Sequence, residues 1–151
     1  MQICSLQILP STATLALVSE PVQSQALAEA WREVLGVHAR VNGALERALH
    51  EHGLGVSEFE VLEELATRPE EGCRMHDLSA STHLSQSALS RVIGRLEKDG
   101  LVERAMCETD RRGIFAALTP DGRKRWKAAR PAHRAVLEDL LGAAPLAGAR
   151  G

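Results

Sequence analysis

A short amphipathic helix that runs directly into a hairpin constrains this chain more than any other feature. In "LSQSALSRVIGRLEKDGLVERAMCETDRRGIFAALTPDG", Leu84 to Gly122, the residues Leu89, Val92, Ile93 and Leu96 recur at i, i+3, i+4, i+7. That is one apolar stripe on a helix turning about 100° per residue. Ser85 begins the helix and Gly100 stops it. Two short runs follow, Leu101–Met106 and Ile114–Leu118, joined by "CETDRRG", and they read as a hairpin. Thr119, with Pro120 at the first helical position, caps a further helix.

The remaining elements are helical by the same test. From Gln23 to His50, Ala26, Leu27, Ala30, Trp31, Val34, Leu35, Val37, His38, Val41, Leu45 and Leu49 recur at helical spacing. Pro21 precedes that helix, and Gly53 with Gly55 ends it. A helix of about 28 residues is roughly 42 Å long, which is enough to extend beyond its own core and pair with another chain. "SEFE" has the capping-box form, with Ser57 as N-cap and Glu60 three residues on. Phe59, Val61, Leu62 and Leu65 give the second helix its apolar face, and Pro69 closes it. "EEGCR" reads as a turn and "MHDLSASTHL" as a short helix with Leu78 and Leu84 buried. The last helix runs through "DGRKRWKAARPAHRAVLEDLLG", bent or broken at Pro131, and "AAPLAGARG" reads as a disordered tail. The expected class is mainly α with a small β-hairpin (α+β). Four helices, a hairpin and a helix, with the hairpin directly after a helix-turn-helix, is the plan of a winged helix. The domain reading is an N-terminal extension over 1–20, a helical dimerisation region from 21–56 and 119–143, a winged helix-turn-helix over 57–118 and a flexible tail over 144–151.

Composition narrows the class. At 151 residues, 44% hydrophobic and 25% charged, the chain suits one soluble domain with a real core. Aromatic residues make up 3% and Tyr is absent, so Leu, Val, Ile and Ala must fill that core. Cys4, Cys73 and Cys107 are too few and too widely spaced for a disulfide framework, which favours a reducing cytoplasm. The start, "MQICSLQILPSTATLALVSEP", has no charge before Glu20. It lacks the basic opening and long apolar run of a secretory signal, and is too mixed to span a bilayer. It reads as a cytosolic arm that packs on a partner chain, or as an upstream mis-assigned start.

The net charge of -2 conceals an asymmetry. Residues 20–71 hold eleven acids and four bases, whereas residues 72–134 hold thirteen bases and seven acids. A basic middle beside acidic flanks points to a local anionic partner, although solvated helix faces produce similar patterns. The composition of one face favours the partner. Opposite the Leu89–Leu96 stripe lie Ser87, Ser90, Arg91, Gly94 and Lys98, with Gln86 and Arg95 at the borders. No large apolar group and no acid interrupts that face until Glu97 and Asp99. Small polar groups and arginines reach base edges or phosphates, and a glycine permits close approach. The hairpin then presents Arg111 and Arg112 at its tip, which suits the negative potential of a narrow minor groove. Asp110 fits there by pairing with an arginine and holding its guanidinium.

These residues carry a resemblance. "LSQSALSRVIGRLEKDGLVER" followed by "DRRGIFAALTPDGR" resembles the MarR family of winged-helix transcription regulators, with matching element order from roughly Val34 to Leu141. The resemblance implies a homodimer, interleaved through its first and last helices, that sets two recognition helices in successive major grooves of a pseudopalindromic site. Double-stranded DNA is then the partner. By motif position, Arg91 and Arg95 match the family's recognition-helix arginines, and Ser85, Gln86, Ser87 and Ser90 match its base-reading region. Asp110 and Arg112 match the wing's D-x-R pair, with Arg112 in the minor groove. The uncharged N-terminal extension departs from the family pattern.

The same resemblance implies a sensor for a small-molecule effector, and hence a repressor released by that effector. Trp31, Arg32 and His38 are the candidates, on the first helix near where the family's ligand cleft forms. Trp31 reads more readily as a packing residue, and His38 as a core or interface histidine. No histidine pair has metal-ligand spacing, so no metal or other cofactor is expected. A thiol-based redox sensor of the same fold is an alternative, with Cys107 its best candidate, although the family's peroxide sensors carry their cysteine in the first helix, where this chain has none. Nucleophile elbow, HExxH and phosphate-binding glycine loop are all absent, which argues against an enzyme. The other class is a winged-helix protein-interaction module without DNA binding. Arg91, Arg95 and Arg112 speak against it.

Overall fold

The computed structural model describes residues 19–68, 72–106 and 114–142, with backbone alone for residues 19–22, 105 and 106. Cys4, Cys107, Asp110, Arg111, Arg112, the N-terminal arm and the tail lie outside the described residues. The order is α1 (Ser19–His50), α2 (Val56–Ala66), β1 (Cys73–Arg74), α3 (Met75–Thr82), α4 (Gln86–Lys98), β2 (Val102–Met106), β3 (Ile114–Leu118) and α5 (Pro120–Leu141). These elements form an α+β winged helix-turn-helix. The chain divides into two compact units, residues 1–39 and 40–151.

In the first unit, α1 begins at Ser19. Pro21, expected just ahead of the helix, therefore lies in its first turn, where a missing N–H costs no hydrogen bond. Leu27, Trp31, Val34, Leu35 and Val37 are all exposed.

In the second unit, the core gathers Leu45 and Leu49 of α1, Phe59, Val61, Leu62 and Leu65 of α2, Leu78 of α3, and Leu89, Val92, Ile93 and Leu96 of α4. Leu84 is half-buried rather than fully buried. Two glycines set the joints. Gly53 (φ 69°) ends α1, where its N–H donates to His50 O and the Leu54 N–H to Leu49 O. Gly100 (φ 70°) ends α4 with the same pair of bonds, to Glu97 O and Leu96 O. Both are Schellman caps, and each brings two buried leucines together, Leu49 with Leu54 and Leu96 with Leu101. Leu101 thus belongs to the α4 cap and the strand starts at Val102.

Two local readings change, and of the two alternatives at Pro131 the break falls away. The α2 N-cap is Gly55, not Ser57, and the reaching carboxylate is Glu58, whose Oε2 accepts the Gly55 N–H at 2.8 Å. The Schellman turn at Gly53 delivers the chain two residues earlier than the "SEFE" spacing implies. Cys73–Arg74, read as a turn, is a short strand that pairs antiparallel with β3, Cys73 opposite Ala116 and Arg74 opposite Phe115. The hairpin is therefore part of a three-stranded sheet ordered β1-β3-β2, with Val102 opposite Leu118 and Met106 opposite Ile114. Pro131 does not break α5, which stays helical across it. Pro131 is exposed, so water can take the carbonyl that its missing N–H leaves.

α5 is fastened to α2 by polar groups. Trp126 Nε1 donates to Glu63 Oε2 at 2.6 Å, and Arg134 pairs with Glu63 Oε1. The buried His133 ring stacks on Phe59 with centroids 4.2 Å apart, and its Nε2 lies 3.1 Å from Glu60 Oε1. At the other end of α5, Thr119 Oγ1 accepts the Gly122 N–H at 3.0 Å and donates to Gly100 O at 2.7 Å. That knot leaves no room at Gly122, where a Cβ would lie 1.9 Å from Leu101 O. This carbonyl already accepts the Thr119 N–H at 3.1 Å and cannot yield without opening the cap. Gly122→Ala should therefore destabilise the protein by about 1–3 kcal/mol, despite alanine's better helix propensity. A lowered urea midpoint with an unchanged m-value is the expected reading.

Candidate nucleic-acid interface

α3, the turn and α4 form the helix-turn-helix. His83 closes α3 in the left-handed region (φ 55°). The turn is tied by Ser79 Oγ donating to Leu84 O at 2.5 Å and Thr82 Oγ1 donating to Leu78 O at 2.6 Å. Ser85 caps α4, its Oγ accepting the Ala88 N–H at 3.2 Å. With Leu89, Val92, Ile93 and Leu96 buried, Gln86, Ser87, Ser90, Arg91, Gly94, Arg95 and Lys98 are exposed together. The sequence-predicted face is one continuous outward surface, and its first turn contains no acid.

The side chains on that face are not equally free. Ser85 is committed to the cap and also lies 3.2 Å from Ser87 Oγ. Arg91 folds along its own helix, with Nε donating to Ser87 O at 3.2 Å. Arg95 leaves the helix, and its Nε donates to Glu58 Oε1 of α2 at 2.7 Å. Sequence reasoning missed two participants. Arg104, on β2, pairs with Glu97 at 3.2 Å and donates to Ser90 O at 3.5 Å, bracing α4 from the wing. Glu58 is the other. Neither carries a sequence signal, because each partner lies in another element and only the fold brings them together.

Several proposed sensing groups are now placed. Trp31, Arg32 and His38 are all exposed on α1, which removes the core reading of His38 and the packing of Trp31 within a single chain. Cys73 is buried in the sheet, and its thiol lies 3.6 Å from Arg74 O. Burial pushes that thiol above its ordinary pKa, with nearby Arg68 pulling it partly back. A buried, protonated thiol is a poor redox sensor. Among the described residues, no three His, Cys, Asp or Glu side chains gather as a metal site, and no helix is long and apolar enough to cross a membrane.

Comparison with known proteins places this geometry. A model of the MarR family matches residues 52–113, from just after α1 through the helix-turn-helix into the hairpin. AbsC, a MarR family transcriptional regulator from Streptomyces coelicolor, is 38% identical, with a TM-score of 0.70 over 74% of this chain and 76% of that one. The chain belongs to the MarR family. Two further solved structures are similar. Sco3205 from Streptomyces coelicolor, crystallised in complex with DNA, is 29% identical with a TM-score of 0.72, over 76% of this chain and 72% of that one. CouR from Rhodococcus jostii RHA1, bound to p-coumaroyl-CoA, is 30% identical with a TM-score of 0.67, over 74% of this chain and 78% of that one. As a MarR family member the chain is a DNA-binding transcription regulator.

Gly94 tests how closely the α4 face is approached. Among the described residues a Cβ there would meet nothing within 4 Å, so their packing does not require the glycine. Gly94→Ala should raise stability by about 0.5–1 kcal/mol, while weakening retention on duplex DNA by crowding the groove. Greater stability with unchanged DNA affinity would mean that position 94 stays clear of the duplex.

Proposed function

We propose that this MarR family regulator is a cytoplasmic homodimer that binds a pseudopalindromic operator, represses transcription by occupying it, and is released by a small-molecule effector. The outward α4 face carries this reading: an exposed set of Gln86, Ser87, Ser90, Arg91 and Arg95 around an open glycine, backed by a buried stripe that fixes its direction. Gln86, Ser87, Ser90 and Arg91 read base edges in the major groove. Ser85 belongs to the same base-reading region while capping the helix start. Asp110, Arg111 and Arg112 are the wing residues that contact DNA in this reading, with Arg112 entering the minor groove and Asp110 holding it.

Dimerisation is supported by the apolar surface of α1. Leu27 is 68%, Trp31 61% and Val34 57% exposed, and a stripe of that kind on a soluble chain marks an interface. Such an interface would also cover Trp31 and His38, which a single chain leaves open. The effector part of the reading draws on CouR, a relative bound to p-coumaroyl-CoA, with Trp31, Arg32 and His38 as the candidate contacts. Sequences selected from a random duplex pool should contain two inverted half-sites about 10 bp apart, centre to centre. Sedimentation at micromolar concentration should show a twofold species. A stable monomer would overturn the dimer and the palindrome together, and full affinity for one asymmetric half-site would overturn the palindrome.

The two DNA-facing elements should separate by mutation. Gln86→Ala and Arg91→Ala should lose about 1–3 kcal/mol of base discrimination for each good contact. Arg112→Ala should weaken binding most on operators with narrow, A·T-rich flanks. With Asp110 acting only through Arg112, the Asp110→Ala/Arg112→Ala double variant should be little worse than Arg112→Ala alone. Affinities on A·T-rich and G·C-rich flanks at fixed salt check both expectations.

A further inference from the structure

We propose that Glu58 is a positioning residue for Arg95, holding its guanidinium in one orientation so that it contributes to sequence discrimination rather than to general attraction for DNA. The inference rests on the reading of α4 as the recognition helix.

Both oxygens of the Glu58 carboxylate are used. Oε2 accepts the Gly55 N–H at 2.8 Å at the start of α2, and Oε1 accepts the Arg95 Nε–H at 2.7 Å. The first bond ties the carboxylate to backbone. Val56 N–H, beside it, donates to Glu46 Oε1 at 3.4 Å, which braces the same turn from α1. The start of a helix also favours a carboxylate electrostatically. The Glu58 side chain is only 16% exposed, whereas Arg95 is 59% exposed. A fixed, half-hidden acid thus grips the inner edge of an arginine whose outer part faces solvent. Binding through Nε leaves both terminal nitrogens of the guanidinium available, and that edge has the fork geometry suited to a phosphate or to the O6 and N7 of guanine. Holding a long side chain before contact removes part of the rotamer entropy that binding would otherwise cost.

Simple charge counting predicts the opposite. An acid beside a DNA-facing surface opposes a polyanion, so removing it should tighten binding to every sequence. Positioning predicts that its removal lowers the ratio of specific to non-specific affinity. A purely structural role, capping α2, predicts a loss of stability with no change in that ratio.

The test uses the full-length protein, an operator recovered from a random duplex pool, and a scrambled duplex of equal length at the same salt. Arg95→Ala should lower the specific-to-scrambled ratio roughly 5- to 100-fold. Glu58→Ala should lower it on the order of tenfold, with binding to the scrambled duplex equal or tighter. Glu58→Gln keeps an oxygen for the Gly55 N–H and serves where Glu58→Ala folds poorly. It should retain near wild-type stability yet show the same loss of discrimination. The Glu58→Gln/Arg95→Ala double variant should match Arg95→Ala within about twofold. Additive losses, an unchanged ratio in Glu58→Gln, or a uniform gain in affinity would each overturn the positioning role. Wild-type protein that does not distinguish operator from scrambled duplex would instead overturn the recognition-helix reading.

Discussion

Burial of one stripe on α4 is the constraint on which the functional surface depends. Leu89, Val92, Ile93 and Leu96 are all within 4% of complete burial, and each such side chain contributes about 1.5–3 kcal/mol relative to exposure. Rotating α4 by a single residue, about 100°, would carry most of that stripe into water and bring arginine or serine into the core. The helix therefore has one seat, and its opposite face has one direction. The outer residues need not stabilise the fold. Freed from packing, they can be small, polar and basic, as Ser87, Ser90, Arg91 and Gly94 are.

The ends of α4 are fixed with equal economy. Ser85 caps the start, and the Schellman turn at Gly100 closes the end and passes Leu101 into the core. Thr119 bonds to that same turn through Gly100 O, so the recognition helix, the strand that follows it and the start of α5 share one joint. Arg104 braces α4 from β2. Exposed ion pairs of this kind are worth little, about 0–1 kcal/mol. Their value here lies in orientation, because they hold the wing strand and the helix in a set relation.

α2 lies between the outward helix and α5. Its apolar residues Phe59, Val61, Leu62 and Leu65 belong to the core, while its acids point to different neighbours: Glu58 to Arg95 of α4, Glu60 to His133 of α5, and Glu63 to Trp126 and Arg134 of α5. The acidic excess before residue 72, which alone gives no location, proves to be partly a set of specific partners for cations in the basic half of the chain. His133 shows how local this matching is. One ring nitrogen meets Glu60, while the other is buried with no hydrogen-bond partner among the described residues.

The sequence by itself determined what depends on neighbours a few residues away. Helical spacing placed the α4 stripe, Ser85 and Thr119 announced their caps, and Gly53 and Gly100 marked the stops. A period of 3.6 residues and a capping hydrogen bond are both written within one turn of chain, so they survive translation into structure. The motif around α4 and the hairpin also carried the family. Only the tertiary structure decided what depends on distant partners. β1 is two residues long, too short to show a period, and exists because β3 offers it a free edge more than forty residues later. The α2 cap shifted to Gly55 because the preceding glycine turn set where the chain arrives. Glu58 meets Arg95 across 37 residues and His133 meets Glu60 across 73. Such pairs leave no trace in local pattern, because any acid and any base look alike until packing brings two of them within hydrogen-bond distance.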